Sequence, residues 1–522
     1  MRSSSKWGST AASMWIQSTS GGSYCFGIYS PLLKSSQSYN QTTLNYVSFF
    51  KDIGANVGVL SGLLYSSCIS PSHHSSSSVE DRKRGPWIVI ATGAVQCFVG
   101  YFMMWLSVTG MVSRPPVVAM CLYMFLATHA QTFFNTADIV TTVENFPQNR
   151  GTVVGIMKGF LGLSGAILIE TYHVISTDDP SSMILMLALL PTFLPLLLMW
   201  LVNVHHGGCY NEDDDTRYLN RFSALSLLVA SYLMGLIIWE NAVPIESVIR
   251  VVTFVILLLL LISPAWFVFT LNSSIPSNTM STALIVEHNP SEERVSICKN
   301  DQNLLQAIRG LDFWLLFISM ACGMGSGMAT VNNMSQIGGS LNYTPVEIST
   351  LISLWSIWNF LGRFLAGRLS DYFLNTRGYP RPIFISATLA AMSIGHLTIA
   401  SAAFPGALYL GSVVVGICYG SQWSLMPTIT SELFGMAHLG TIFNTISVAS
   451  PLGSYVLSVK VTGYLFDKVE EEQASDDCSG PQCFRLSFMI MAVVALNGCA
   501  FSSALFLRTR KFYRELFVKN FT

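Results

Sequence analysis

Gln131, Asn135, Asp138, Thr142 and Asn145 recur at intervals of four, three, four and three residues inside an apolar stretch. That spacing puts all five on one face of a helix. Polar groups at membrane depth are costly and usually functional, so a stripe holding a carboxylate is expected to face a wet cavity rather than lipid. Asp138 could take up a proton there. Lys158 is a second charge in an apolar stretch, 11 residues after Pro147, while Asp138 lies 9 before it. At about 1.5 Å per residue the two reach similar depth on neighbouring antiparallel helices. Pairing would lower the cost of both. Lys158 could also attract a carboxylate solute, or simply snorkel. Gln17 and Tyr24, with Ser13 and Ser20, make a shorter stripe, and Tyr419, Gln422 and Trp423 a third.

A different chemistry is written in "GRFLAGRLSDYF" (362–373), where an apolar run ends in fixed charge of both signs. Gly362 and Gly367 let neighbouring helices approach closely. Asp371 could sit at the positive N-terminal end of a neighbouring helix. Arg363 and Arg368 could bridge to carboxylates of a facing half, as could Arg377 and Arg381 beyond them. Charge at a moving joint makes a switch; the bland alternative is a basic anchor with an incidental Asp.

These groups need helices to hold them. The chain has 522 residues, 51% hydrophobic and only 11% charged, against about 25% charged in an average soluble domain. With mean hydropathy +0.49, the fold class is an all-α polytopic membrane protein. A span needs roughly 20 mostly apolar residues. Fourteen segments qualify, near 10–31, 43–65, 87–109, 116–143, 150–171, 183–204, 221–240, 247–270, 312–331, 347–370, 382–402, 406–427, 438–463 and 485–507. The first lacks a cleavage-site pattern and reads as a retained anchor. With the N-terminus cytoplasmic, most of the 28 Lys and Arg fall inside; Lys34, Lys51, Arg114, Arg250, Lys468 and Arg485 fall outside, and Lys158 and Lys460 within the membrane. That is the positive-inside bias, and it puts the C-terminus in the cytoplasm too. A plasma membrane and an internal membrane fit equally. A net charge of −1 gives no sign of nucleic acid as a partner.

Polar loops at 205–220 and 271–311 bracket two segments, so the organisation is six helices, two helices, six helices: 1–204, 205–310 and 311–522. "ENFPQNRGTVVGIMKGFLGLSGA" from Glu144 and "ELFGMAHLGTIFNTISVASPLGS" from Glu432 recur at equivalent places in the two sets. Repeated halves around a central site are a common transporter plan. At that repeat offset Asp138 corresponds to Met426, so the halves would line a cavity differently.

Gly367, Leu369 and Asp371 with the following bases resemble the loop signature of the major facilitator superfamily, and Gly362–Arg363 the upstream pair near its monocarboxylate and oxalate/formate branches. The N-terminal counterpart, "GVLSGLLYSS" (58–67), keeps the glycines but has Gly62 or Ser66, depending on register, at the acidic position. The stretch 12–65 resembles the nodulin-like domain of plant facilitator-type proteins, including the nuclear-fusion-defective group. The resemblance extends through the eighth segment and resumes near residue 310. It implies a cavity between two halves, secondary-active movement of a small solute by rocking, and a gate at the 362–371 motif. The monocarboxylate-like features imply a small organic anion, and Asp138 suggests proton coupling. No ATP-binding Gly-rich motif occurs. A non-transporting receptor or scaffold on the same fold is the second reading, and the missing N-terminal acid favours it. No paired catalytic residues suggest an enzyme, and no cofactor or metal is expected.

Three smaller signals concern the loops. Cys478 and Cys483 in "DDCSGPQCF" could form a disulfide in an oxidising compartment. Asn40 and Asn342 stand in Asn-x-Thr sequons on outward loops. The histidine pairs at 73–74 and 205–206 read as solvated loop, and His396 as a packed histidine.

Overall fold

The computed structural model describes residues 5–39, 41–69, 85–175, 179–205, 212–243, 246–274, 301–402, 404, 406–473 and 478–521, and among these the regular structure is all helical. Among the described residues, eleven helices are long and apolar enough to cross a membrane. They coincide with eleven of the fourteen predicted segments. The other three are helical but fall short for identifiable reasons.

The first is broken into α1 (Lys6–Thr19), a 3-10 turn at Gly22–Cys25, and α2 (Phe26–Ser36), which contains Pro31. The other two, Pro345–Arg377 and Ala407–Leu433, are long and continuous. Their hydropathy is lowered by Asn359, Arg363, Arg368 and Asp371 in one, and Tyr419, Gln422 and Trp423 in the other. Several of these same residues build the site described below.

The second segment divides into α3 (Gln41–Asn56) and α4 (Val59–Ile69). There follow α5 (Pro86–Val108), α6 (Val117–Asn145), α7 (Arg150–Ile175) and α8 (Pro180–Leu198). Proline sits in the first turn of α5 and α8, where its missing N–H costs no bond. Two further helices, α9 (Glu212–Ala242) and α10 (Ser247–Ser274), precede the short α11 (Leu304–Arg309).

The C-terminal set comprises α12 (Leu311–Asn332), α13 (Met334–Ser340), α14 (Pro345–Arg377), α15 (Pro382–Ser401) and α16 (Ala407–Leu433). Next come α17 (Leu439–Ser447), α18 (Ala449–Ser454), a π-helical run at Tyr455–Gly463, α19 (Tyr464–Gln473) and α20 (Gln482–Phe521). The thirteenth predicted segment is thus jointed rather than straight. The ninth is a continuous helix; its glycines serve close packing, Gly325 lying against Gly453 of α18.

Helix ends follow local chemistry. Thr344 and Glu347 form a reciprocal capping box at the start of α14: Glu347 Oε2 accepts from the Thr344 amide at 2.8 Å. The Thr344 hydroxyl bonds the same carboxylate oxygen at 2.9 Å. Gly378 ends the helix at φ +65°, a left-handed conformation that glycine adopts without strain.

The N-terminal and C-terminal helices meet along two seams. In one, α7 packs along α14; in the other, α4 packs on α17 and α3 on α18. The pair α9 and α10 lies outside the first seam, α9 touching both α7 and α14. Only 17% of the most apolar part of α10 is buried, so this helix is peripheral. Its exposed face, with Leu259, Ile262, Trp266 and Phe269, suits lipid.

Candidate functional site

Between the two seams lies a cavity of about 410 Å³. Its wall is drawn from α3, α6, α7, α12, α14, α16 and α17, and from the 3-10 turn, which presents Ser23 and Tyr24. A second chamber of about 740 Å³ shares Ser48, Asp52, Met328 and Asn332 with it and runs to exposed Lys460, Tyr464 and Asp467. The cavity therefore leads to the end of the bundle that carries Asp467, and the seams close it at the other end.

Two buried cations dominate the wall. Lys158 is 1% exposed. Its Nζ lies 5.0 Å from the Trp423 ring centroid and 5.8 Å from that of Phe443, where the ring faces attract an ammonium. Arg363 donates from Nε to Asn359 Oδ1 (2.9 Å), from Nη1 to the Lys158 carbonyl (2.8 Å) and from Nη2 to Tyr24 Oη (3.4 Å). Neither cation has a carboxylate partner among the described residues. Asp52, also on the wall, pairs with Lys51 at 3.1 Å. Gln131 accepts from Ser23 Oγ at 2.9 Å, and Asn135 keeps a buried Oδ1 without a hydrogen-bond partner.

Of the expected cavity residues, Tyr24, Gln131, Asn135, Lys158, Tyr419 and Trp423 line it, while Gln17, Asp138, Thr142 and Gln422 do not. Asp138 is fully buried, and its Oδ2 accepts from Gln17 Nε2 at 2.8 Å. Thr142 turns its hydroxyl back to the Asp138 carbonyl, a bond within its own helix. Gln422 packs against the Met392 sulfur.

The expected Asp138–Lys158 pair is absent. The two side chains point in different directions. Asp138 faces α1, whereas Lys158 faces α16 and α17. Asn145, the end of the polar stripe, accepts from the His205 amide and donates to the Asn203 carbonyl, tying the chain after α8 to α6.

At the closed end, Asp371 accepts from the Gly151 and Thr152 amides (3.0 and 2.5 Å). These amides open α7 and have no partner within it, and the helix dipole favours a carboxylate there. Arg381 bonds the same Asp371 at 2.7 Å, Glu432 at 2.7 Å and Ser370 Oγ at 2.6 Å. Burial works against its charge, but the Glu432 and Asp371 carboxylates more than offset this and raise Arg381 above its usual range. Tyr513 donates to the other Glu432 oxygen at 2.8 Å, and Arg150 donates from α7 to Ser431. Gly367 lies directly on Gly151: a Cβ on either would collide with the other's backbone carbonyl.

The loop motif therefore divides. Gly367 and Asp371 meet α7 across the seam. Gly362 packs instead on Ile417 of α16, Arg363 points into the cavity, and Arg368 reaches Asn220 and Ser223 of α9. Glu432 and Asn359 were not singled out for these roles, although Glu432 opens the second repeat copy. Arg381 appeared only as one of several loop bases, and its partners could not be read from spacing.

Cys478 and Cys483 are joined in a disulfide. Asn342 is exposed in a turn at φ +61°, while Asn40 lies outside the described residues. His396 is buried beside Phe488 with neither ring nitrogen bonded, as a packed histidine would be.

Comparison with known proteins agrees with this architecture. The fold resembles that of the major facilitator proton:xylose symporter XylE (TM-score 0.56, 13% identity, 96% of each chain). It also resembles that of FucP in its outward conformation (TM-score 0.50, 12% identity, 95% of this chain and 98% of that one). The chain is 24% identical to Protein NUCLEAR FUSION DEFECTIVE 4 of Arabidopsis thaliana, over 98% of its own length and 90% of the relative's. It is 29% identical to the probable transporter MCH1 of Yarrowia lipolytica, over 37% of this chain and 40% of that one. The profile of the NFD4 C-terminal domain matches residues 299–515. That of the Nodulin-like family matches residues 6–269, and the chain belongs to that family, a multi-pass membrane protein on the major facilitator fold.

Proposed function

We propose that the protein is a secondary-active transporter that moves a small organic anion by alternating access, coupled to protons. The carrying observation is that Lys158 and Arg363 lie buried on the wall of one 410 Å³ cavity with no carboxylate partner among the described residues. A buried uncompensated charge is expensive, and an anionic solute supplies the missing countercharge. The guanidinium offers a planar donor edge to a carboxylate, and Trp423, whose ring lies against Lys158, adds an apolar face to the wall.

The organisation proposed is two six-helix halves, 1–204 and 311–522, with an inserted pair in 205–310 and fourteen spans in all. The packing of α7 on α14 and of α4 on α17 supports it, as do the lengths of α14 and α16, 33 and 27 residues. The Asp371–Arg381–Glu432 cluster serves as the gate, with the termini on the cytoplasmic side as the charge bias requires. Asp138, paired with Gln17 behind the cavity wall, is the proton site: it acts on α6 rather than on the solute directly.

The test is uptake of a labelled panel of organic anions, amino acids and sugars into proteoliposomes, with and without an inward proton gradient. Arg363→Gln should weaken uptake of the accepted anion at least about thirtyfold, since losing a buried charged partner costs about 2–5 kcal/mol. Asp138→Asn should leave downhill exchange and abolish stimulation by the gradient. Uptake of neutral sugars alone, undiminished in Arg363→Gln, would reject the anion. If folded protein moved no solute, the non-transporting receptor reading, to which Ser66 in place of an acid points, would replace it.

A further inference from the structure

Away from the cavity, at the end of the bundle opposite Asp371, α7 carries Glu170 and His173 one turn apart, and α9 places Glu240 against them. One ligand atom from each lies within 4.8 Å of the others. Glu170 is 3% exposed, yet its carboxyl group faces that of Glu240 within hydrogen-bonding reach. Two carboxylates at that separation need a shared proton or a cation between them. His173 Nδ1 is buried with no hydrogen-bond partner, which leaves a ring nitrogen free to ligate.

Arg250 is the charged neighbour. It is near enough to act on Glu170 and His173, but its Nε has no hydrogen-bond partner, and it forms no ion pair with either carboxylate among the described residues. It offsets part of the negative charge without closing the gap between the ligand atoms. Neither the solute cavity nor the gate uses any of these four residues.

We infer that Glu170, His173 and Glu240 bind one transition-metal dication, with zinc the best match, and that this ion pins α9 to α7. Two carboxylate oxygens and an imidazole nitrogen are a borderline donor set that suits zinc. A tetrahedral zinc ion holds its ligand atoms about 3.3 Å apart, so the cluster closes on the ion by small side-chain rotations. The fourth position is left to water. The location gives the ion a consequence. At its other end α9 is bonded to Arg368 of α14, so a cation at Glu240 completes a strap from α7 to α14 across the seam between them. This inference does not depend on which solute is moved, or on any solute being moved.

The test is titration of the purified full-length chain in detergent with Zn2+ by calorimetry and with Co2+ by visible ligand-field absorption. Wild type should bind one ion per chain and give a Co2+ spectrum of low coordination number. Glu240→Gln, near-isosteric and able to keep its hydrogen bond to Glu170, should lower affinity roughly tenfold or more, and His173→Asn likewise. Removing the paired loop histidines (H73N/H74N/H205N/H206N) should change neither stoichiometry nor spectrum. Size-exclusion profile and helical circular dichroism report folding, and Glu240→Gln decides the matter if His173→Asn misfolds. Absence of saturable binding by wild type would overturn the site. So would undiminished binding by folded Glu240→Gln, or binding lost only in the loop-histidine variant.

Discussion

The two seams between N-terminal and C-terminal helices use the same backbone device and different chemistry. Gly62 of α4 lies on the Gly440–Thr441 backbone of α17, as Gly367 of α14 lies on Gly151 of α7. Four residues later each helix reaches the start of the facing helix with a polar side chain: Asp371 to the Gly151 and Thr152 amides, Ser66 to the Ala437 carbonyl at 3.4 Å. This sets the register that sequence left open, with Ser66 rather than Gly62 in the acidic position.

Past that point the seams part. Across the α7–α14 seam the charged Asp371 carboxylate accepts from the Gly151 and Thr152 amides, and Arg381, buried between Asp371 and Glu432 on the C-terminal side, holds that carboxylate in place. The α4–α17 seam is held by neutral bonds, from Asn444 Nδ2 to Thr136 Oγ1 (2.7 Å) and Ser61 Oγ (3.4 Å), with Ser61 and Thr136 2.7 Å apart. A neutral hydrogen bond contributes about 0.5–1.5 kcal/mol, whereas one to a charged group contributes about 1.5–3 kcal/mol. The closed end is therefore a hinge of unequal sides: glycine sets the spacing on both, and charge sets the cost of opening on one.

The largest effect should follow from Arg381→Ala, which leaves Asp371 and Glu432 buried without their shared cation. The loss is about 3–5 kcal/mol of stability, and it frees Asp371, the carboxylate that bonds the α7 amides, to move. Distances between spin labels on exposed Gln148 and Arg377 should shift to a longer population, and thermal stability in detergent should fall. An unchanged distance distribution would mean that the ion cluster is structural and the seam does not open there.

Glycine substitutions should produce a smaller effect, and an equal one on the two sides. Gly367→Ala and Gly62→Ala each push a methyl group into facing backbone, which cannot yield as a side chain can. Overpacking of this kind costs about 1–3 kcal/mol. Both should lengthen label distances across their own seam. If Gly62→Ala proved silent while Gly367→Ala did not, the symmetry of spacing claimed above would fail.

Features that depend on one segment's own composition were legible in the sequence. Eleven spans follow from hydropathy, and Asp371 at a neighbouring helix N-terminus follows from a glycine-spaced motif at a helix end. Features that depend on azimuth were not. Residue counts predict equal depth for Asp138 and Lys158, but the rotation of α6 and α7 decides that one meets Gln17 and the other Trp423. Arg363 precedes Asp371 by eight residues, more than two turns, which is enough to carry it from the membrane end into the cavity. The breaks near Gly21 and at Val57–Gly58 were missed because hydropathy is blind to a change of axis, although Pro31 and the paired glycines were available as signals.

The smallest effect separates position from charge. Ser66 stands where the other seam has its acid, but restoring an acid there should not restore a lock. Asp301, in the segment leading into α11, already accepts from the Met436 and Ala437 amides at 2.9 and 3.3 Å, so the turn before α17 has its carboxylate from another part of the chain. Ser66 touches the carbonyl of that same Ala437. In Ser66→Asp, the new charge would face a carbonyl and a second carboxylate, costing a few tenths of a kcal/mol to about 1 kcal/mol. In the Asp301→Asn background, the same substitution should become neutral or stabilising, because the amides are then free of a charged partner. The coupling in this double-mutant cycle, read from thermal unfolding at low salt and lost at high salt, is the quantity that matters. A coupling of zero would place the two side chains out of each other's field, and the α4–α17 seam would then be neutral by composition rather than because its acid is supplied by the linker.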